Sequence, residues 1–222
     1  KRGELLSLAI ARLRRHAVQP TTIGLSATVR NKDELCRYLV SQEEKESSAE
    51  LIEVEERTKP QIQILKSKSK LPLAGHTALS SMIEIYEAIV THHMCLVFVN
   101  TRMQAEFVLQ ALWKLNERGL PIALHHGSLD KGQRRKIETA MAEGKLRAIV
   151  CTATLDLGID WGDVDLVINV GAPKGASRLM QRIGRSNHRL DEPSEALLVP
   201  SNRFEAMECH AALDAVEAAA QD

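Results

Sequence analysis

Two runs in the second half of the chain concentrate residue types that handle phosphate, CTATLDLGID at 151–160 and QRIGRSNH at 181–188. In the first, Thr152 offers a hydroxyl beside the free amides of a helical turn, a good donor set for a phosphate oxygen. Gly158 lets backbone approach a ribose or phosphate closely, and Asp160 offers a carboxylate that can accept a sugar hydroxyl. In the second run, Arg185 presents a guanidinium whose fixed planar fork can neutralise charge growing on a phosphoryl group. An arginine held on a rigid element that faces another domain is a means of sensing a nucleoside triphosphate across a cleft.

The elements that must position these residues follow from the apolar pattern. Residues 3–16 read as a helix ending in Arg12, Arg14, Arg15 and His16, which suit its negative end. The β-branched run 21–25 reads as a strand that feeds a polar turn, and Asn31 as the cap of a helix reaching Val40. Between 59 and 75 lysines and prolines gather around the apolar IQIL at 62–65, and a linker is placed near Thr58 and Lys59. Beyond Thr77 the pattern is regular. Helices are predicted over 79–90, 103–117, 132–142, 177–183 and 203–220, and strands over 95–99, 122–124, 147–150, 166–170 and 196–199. Short, continuously apolar strands alternating with helices indicate an α/β fold with a parallel sheet covered on both faces. Right-handed crossovers put every loop after a strand at one edge of the sheet, where ligands bind, and the NTR at 100–102 and the run from Cys151 fall there.

Bulk composition is permissive. The 222 residues are 44% hydrophobic and 26% charged, enough for one large or two smaller cores, and with 3% aromatics those cores are mostly aliphatic. Equal numbers of acidic and basic residues give no overall field, so any nucleic-acid contact must use a local stripe. Cys36, Cys95, Cys151 and Cys209 are widely spaced and form neither a zinc signature nor a disulfide framework. No run approaches membrane-spanning length and no signal-peptide core follows Lys1 and Arg2, so a soluble cytoplasmic protein without membrane association is expected. The pairs His92–His93 and His125–His126 lack a carboxylate or cysteine at ligand spacing, and no metal is expected on them. Arg134, Arg135 and Lys136 read as a solvated helix face, and Trp161 as packing on the domain surface.

Taken in order, SAT (26–28), FVNTR (98–102), HHGSL (125–129), TATLDLGID (152–160) and QRIGR (181–185) resemble the later motifs of superfamily 2 helicases. KRG at the start, GAPKGASRLMQRIGRSNH at 171–188 and VPSNRFEAMECHAAL at 199–213 resemble the large-helicase-related branch, most of all the bacterial ligase-associated DEXH-box DNA helicases. The resemblance spans essentially the whole chain. It implies that residues 1–58 are the C-terminal part of a first RecA-like, ATP-binding domain. Residues 59–200 would be the second, parallel-sheet RecA-like domain, and 201–222 a helix leading toward a following domain. It also implies roles: Arg185 and His188 at the terminal phosphate of the nucleotide, and Gly158, Asp160 and Gln181 in nucleotide binding. Thr101, Arg102, Gly127 and Thr152 would contact the nucleic-acid backbone, and Ser26 and Thr28 would couple the two domains. Related helicases often carry a second arginine where His188 stands here, and Arg189 lies one residue beyond.

The chain has no GxxxxGK[ST] loop and no DExH carboxylate pair. The resemblance places both upstream, so the expectation is a fragment that does not hydrolyse ATP alone and whose ATP and Mg2+ are held with residues outside it. The function implied is an ATP-dependent 3′ to 5′ helicase acting on single-stranded or partly duplex DNA in repair, with a DNA ligase or nuclease as partner. The alternatives are an RNA helicase of the same superfamily, since phosphate contacts carry no sugar preference, and a non-catalytic scaffold lobe.

Overall fold

The structure, a computed structural model, describes residues 2–17, 20–26, 31–40, 49–53, 59–156, 164–187 and 193–218. They fall into two compact units, Lys1–Glu55 and Glu56–Asp222.

In the first unit, helix α1 (Arg2–His16) carries Glu4 in its first turn and Arg14, Arg15 and His16 in its last, matching the helix dipole. Helix α2 (Lys32–Leu39) starts at Asn31, whose side chain accepts the Glu34 N–H at 3.1 Å. Arg14 ties the helices together. Its guanidinium donates to the carbonyls of Leu39 and Val40, which the end of α2 leaves without intrahelical partners, and to the Thr22 hydroxyl. The strand expected over 21–25 does not form. A strand needs a hydrogen-bonded neighbour, none is present among the described residues of this unit, and Ile23 and Leu25 are exposed.

The second unit is a six-stranded, all-parallel sheet in the order β1-β6-β5-β2-β4-β3. The strands are β1 (Gln61–Ile64), β2 (Cys95–Phe98), β3 (Ile122–His125), β4 (Ala148–Cys151), β5 (Leu166–Val170) and β6 (Glu195–Val199). Successive side chains of β2 enter opposite cores, Cys95 and Val97 one and Leu96 and Phe98 the other. That is why the central strands read as unbroken apolar runs. Helices α3 (Met82–Thr91) and α4 (Arg102–Leu115) cover one face with Ile85, Ile89, Val108 and Leu112. Helices α5 (Lys131–Ala142), α6 (Ala176–Ile183) and α7 (Arg203–Glu217) cover the other with Met141, Leu179, Ile183 and Cys209. The IQIL region, read as linker surroundings, supplies the edge strand β1, paired to β6. Its Ile62 and Ile64 turn inward while Gln61 and Gln63 stay exposed, a half-buried alternation too short to stand out among lysines and prolines. Helix α7 packs on α6 and β1 within the same unit. No helix among the described residues is long and apolar enough to cross a membrane.

Burial in these cores raises the thiol pKa of Cys95 and Cys151 far above its ordinary value and pushes that of Cys209 up to about 12. A raised value means that the folded chain holds the proton longer than the unfolded one. The associated stability is complete below the ordinary value of 9.0 and is lost as pH rises through the raised values. Two outcomes are expected. In native chain at pH 8 these three thiols should resist an aromatic disulfide reagent that titrates all four cysteines in denaturant. The urea midpoint should fall as pH is raised beyond 9.0.

Candidate nucleic-acid interface

Three loops at the C-terminal edge of the sheet build one open groove. The first follows β2. Thr101 is the N-cap of α4, and its hydroxyl accepts the Gln104 N–H at 3.1 Å. Gln104 reciprocates by accepting the Asn100 N–H at 3.0 Å. The hydroxyl of Thr101 is therefore occupied in fixing the helix start, which leaves Arg102 exposed on the first turn and donating to the Ser128 hydroxyl. The second loop follows β3. His126 accepts the Ser128 N–H on Nδ1 at 3.2 Å and closes a turn by accepting Leu129 N–H on its carbonyl at 3.1 Å, so Gly127 and Ser128 stand out at the tip. A Cβ on Gly127 would meet only Thr154 Cγ2, at 3.9 Å, so the space over this glycine is open. The third follows β4, where Thr152 begins a short 3-10 turn over Ala153–Leu155.

Arg102, Gly127, Thr152, Ala153 and Thr154 line this groove, whose volume is about 450 Å3. Its lining offers a cation, hydroxyls and backbone and no carboxylate, a combination that suits an anion. Beneath it lies buried His125. Its Nε2 is 3.0 Å from Glu138 and its Nδ1 2.8 Å from the Thr154 hydroxyl, while buried His126 lies 3.6 Å from Glu106. The histidine pair thus does have carboxylate neighbours, brought from α5 and α4 by the fold rather than by sequence spacing. Among the described residues no group of three or more His, Cys, Asp or Glu could hold a metal ion.

The crevice between β2 and β5, where helices leave the sheet on opposite faces, is closed rather than open. Asn100 donates to the Ala172 carbonyl at 3.1 Å and Gln104 to that of His76 at 2.5 Å, while Glu205 holds His76 at 2.8 Å. Gly171 passes beneath at φ +89, where a Cβ would come within 3.1 Å of Asn100 Nδ2. The groove therefore sits beside the switch point, over β2, β4 and β3.

Arg185 lies elsewhere. It follows α6, half-buried, with Nε donating to the Gln181 carbonyl at 3.4 Å and no partner among the described residues for its terminal nitrogens. The adjoining Ser186 is fully buried and accepts the N–H of Glu195 at 3.0 Å, and Asn187, at φ 46, donates its N–H to Val164 at 2.8 Å. Both partners stand at the beginnings of strands, so Arg185 is held rigidly at the opposite edge of the sheet from the groove. Between the two poles runs Arg182, absent from the residues that the sequence singled out. It is 2% exposed, donates to Asp156 at 3.0 Å and Asn169 at 2.5 Å, and stacks 4.8 Å from the Phe98 ring. Its spacing from Leu179 and Ile183 put it on the apolar face of α6, a signal that was available. Ser128, Thr154 and His125 were also passed over as site residues.

The structure therefore brings Arg102, Gly127 and Thr152 to one groove, with Thr101 as the cap beneath, and places Gln181 in the last turn of α6 and Arg185 just beyond its end. Ser26 ends the described segment 20–26 of the first unit and is exposed there. His188, Gly158, Asp160 and Thr28, with Trp161, lie outside the described residues.

Residues 77–189 match the family described as helicase conserved C-terminal domain. The ATP-dependent helicase Lhr-Core protein 2 of Thermococcus barophilus is 34% identical over 94% of this chain and 25% of its own length. The ATP-dependent helicase Lhr-Core of Methanocaldococcus jannaschii is 33% identical over 94% and 24%. The chain thus spans about a quarter of the length of these curated relatives. The solved structure of Mycobacterium smegmatis helicase Lhr bound to ssDNA and AMP-PNP superposes on all of this chain and 29% of its own, with a TM-score of 0.85 and 29% identity. On the match to its C-terminal domain, the RecA-like parallel sheet and the ordered motifs, this chain belongs to the superfamily 2 helicases, in their Lhr-type branch.

Proposed function

We propose that this chain is the second motor lobe of an ATP-dependent helicase that moves 3′ to 5′ along DNA in repair, with residues 1–58 closing the ATP-binding lobe and 201–222 leading toward a further domain. The observation that carries the reading is the groove of Arg102, Gly127 and Thr152, an anion surface built from three consecutive strand ends and suited to a run of backbone phosphates. A similar lobe in the Mycobacterium smegmatis protein belongs to a complex with single-stranded DNA, which favours DNA over RNA here. In this reading the groove holds the strand by its phosphates while Arg185, on a rigid corner away from it, meets the terminal phosphate of ATP held by the other lobe. Gln181 lies beside it, and His188, Gly158 and Asp160 complete the nucleotide side. ATP supplies the free energy of each closing and opening cycle, and Mg2+ would be held by carboxylates of the first lobe. A ligase or nuclease acting on the exposed strand is the fitting class of partner.

Turnover of the complete two-lobed enzyme decides the substrate. Single-stranded DNA is expected to stimulate ATP hydrolysis and RNA of equal length is not; stimulation by RNA alone overturns the DNA reading, and none by either points to a scaffold lobe. Within that enzyme, Arg185→Ala is expected to lower DNA-stimulated turnover by about a thousandfold, roughly 4 kcal/mol of transition-state stabilisation. The KM for ATP should change far less, because the charge that is met grows mainly during transfer. Arg185→Lys should rescue poorly, since an ammonium has no planar fork. Turnover within about tenfold of the unsubstituted enzyme removes Arg185 from this role.

The groove makes a separate prediction that salt titration can read. Arg102→Ala should reduce the slope of log affinity for single-stranded DNA against log salt by about 0.7, the value for one lost phosphate neutralisation. Thr152→Ala should weaken binding severalfold at every salt concentration with the slope intact, because a hydroxyl releases no counterion. Unchanged affinity for both variants would take the groove out of the nucleic-acid path.

A further inference from the structure

The 3-10 turn that carries Thr152, Ala153 and Thr154 into the groove has no side-chain cap of its own. Its position is set from outside: Arg182 holds Asp156 at its end, and the outside bonds to Thr152 and Thr154 end on one residue. The Thr152 N–H donates to the His125 carbonyl at 3.3 Å, and the Thr154 hydroxyl lies 3.3 Å from that carbonyl and 2.8 Å from His125 Nδ1. On the far side of the ring, Nε2 stands 3.0 Å from Glu138, whose side chain is partly exposed on α5. The imidazole itself is 2% exposed and does not line the groove.

Glu138 as a carboxylate only accepts, so Nε2 donates to it; with that hydrogen placed, Nδ1 is the ring atom that meets the Thr154 hydroxyl, which also reaches the His125 carbonyl. Glu138 thereby selects the tautomer that receives Thr154, as a carboxylate behind a histidine commonly does. The chain of bonds runs from α5 through the end of β3 to the turn after β4 and ends on Thr154, two residues from Thr152.

We propose that His125 is the positioning residue of the groove, aiming the 152–154 turn at a nucleic-acid phosphate without touching it. The proposal rests on reading the groove as a nucleic-acid site. It distinguishes the two halves of the ring: the Nδ1 half reaches the turn directly, and the Nε2 half only selects the tautomer. Asparagine places a polar atom near the Nδ1 position, and glutamine one near the Nε2 position.

The test is binding of a fluorescent single-stranded oligothymidylate to the chain by anisotropy at low salt, with hydrogen exchange on the same proteins. His125→Asn is expected to bind within about twofold of the unsubstituted chain, and His125→Gln about tenfold more weakly, the scale of one hydrogen bond that orders a binding turn. In His125→Gln, amide exchange should rise at 153–156 and stay unchanged in β3 and β4. A residue that merely fills the core would give the reverse order or none, since glutamine is the closer match in volume. If the unsubstituted chain binds and His125→Gln binds equally well, or His125→Asn is as weak as His125→Gln, or exchange rises evenly across both strands, the proposal is overturned while the groove stands. If the unsubstituted chain does not bind the oligonucleotide, the groove reading fails and this proposal fails with it.

Discussion

The arrangement of the second unit turns on one buried cation. Arg182 sits inside the core that α5, α6 and α7 share with the sheet, where a guanidinium is tolerated only if it is paired and its N–H groups are satisfied. Asp156 supplies the charge, Asn169 supplies a carbonyl, and the Phe98 ring covers the flat face. Each partner comes from a different element: the end of the turn after β4, the middle of the sheet on β5, and the central strand β2. Asn169 passes the constraint on by donating to the Gly171 carbonyl at 2.8 Å, and Asp156 also faces Arg178 at 3.6 Å. Removing one member of such a group leaves the others buried and unpaired, a loss of about 3–5 kcal/mol. The helix that bears Gln181 and leads into Arg185 is thereby keyed to the turn that follows Thr152.

This keying matters because topology separates the two regions. In a parallel sheet the chain leaves each strand at one edge and re-enters at the other, so a residue just after a strand and a residue just before one lie about a strand length apart. The groove collects the exits of β2, β3 and β4. Arg185 stands at the entrances of β5 and β6, fixed by Ser186 and Asn187. Only a side chain long enough to run along the sheet joins them, and arginine is that side chain. Its backward tilt on α6, toward the N-terminus of the helix, carries it from near the entrance edge to Asn169 near the exit edge.

Most of this architecture is legible in the residue order. The unbroken apolar strands dictate a sheet covered twice, the capping residues Thr101, Asp130 and Asn202 mark helix starts, and β5 falls on the predicted residues without a shift. What escapes the sequence is whatever depends on a neighbour that arrives from elsewhere. The QIQI of β1 becomes a strand only because β6 lies beside it, whereas 21–25, with better β-formers, finds no ladder and remains unpaired. The same holds in the groove. Thr152 and Arg102 declare themselves through residue type and motif, but Glu138 and Thr154 acquire meaning only when His125 is placed between them. Asp156 is an ordinary turn carboxylate until Arg182 is seen to be buried.

The contact between Arg102 and Ser128 gives the groove a further property. The one cation of the lining is engaged by a hydroxyl of the neighbouring loop, which favours the rotamer that lies over the groove. A guanidinium has five N–H donors, so an entering anion can pair with those that Ser128 leaves free, in charge-assisted bonds stronger than the neutral one. A cation that is already ordered meets its ligand without first paying for the loss of rotamer freedom, and the entropic cost of binding falls accordingly.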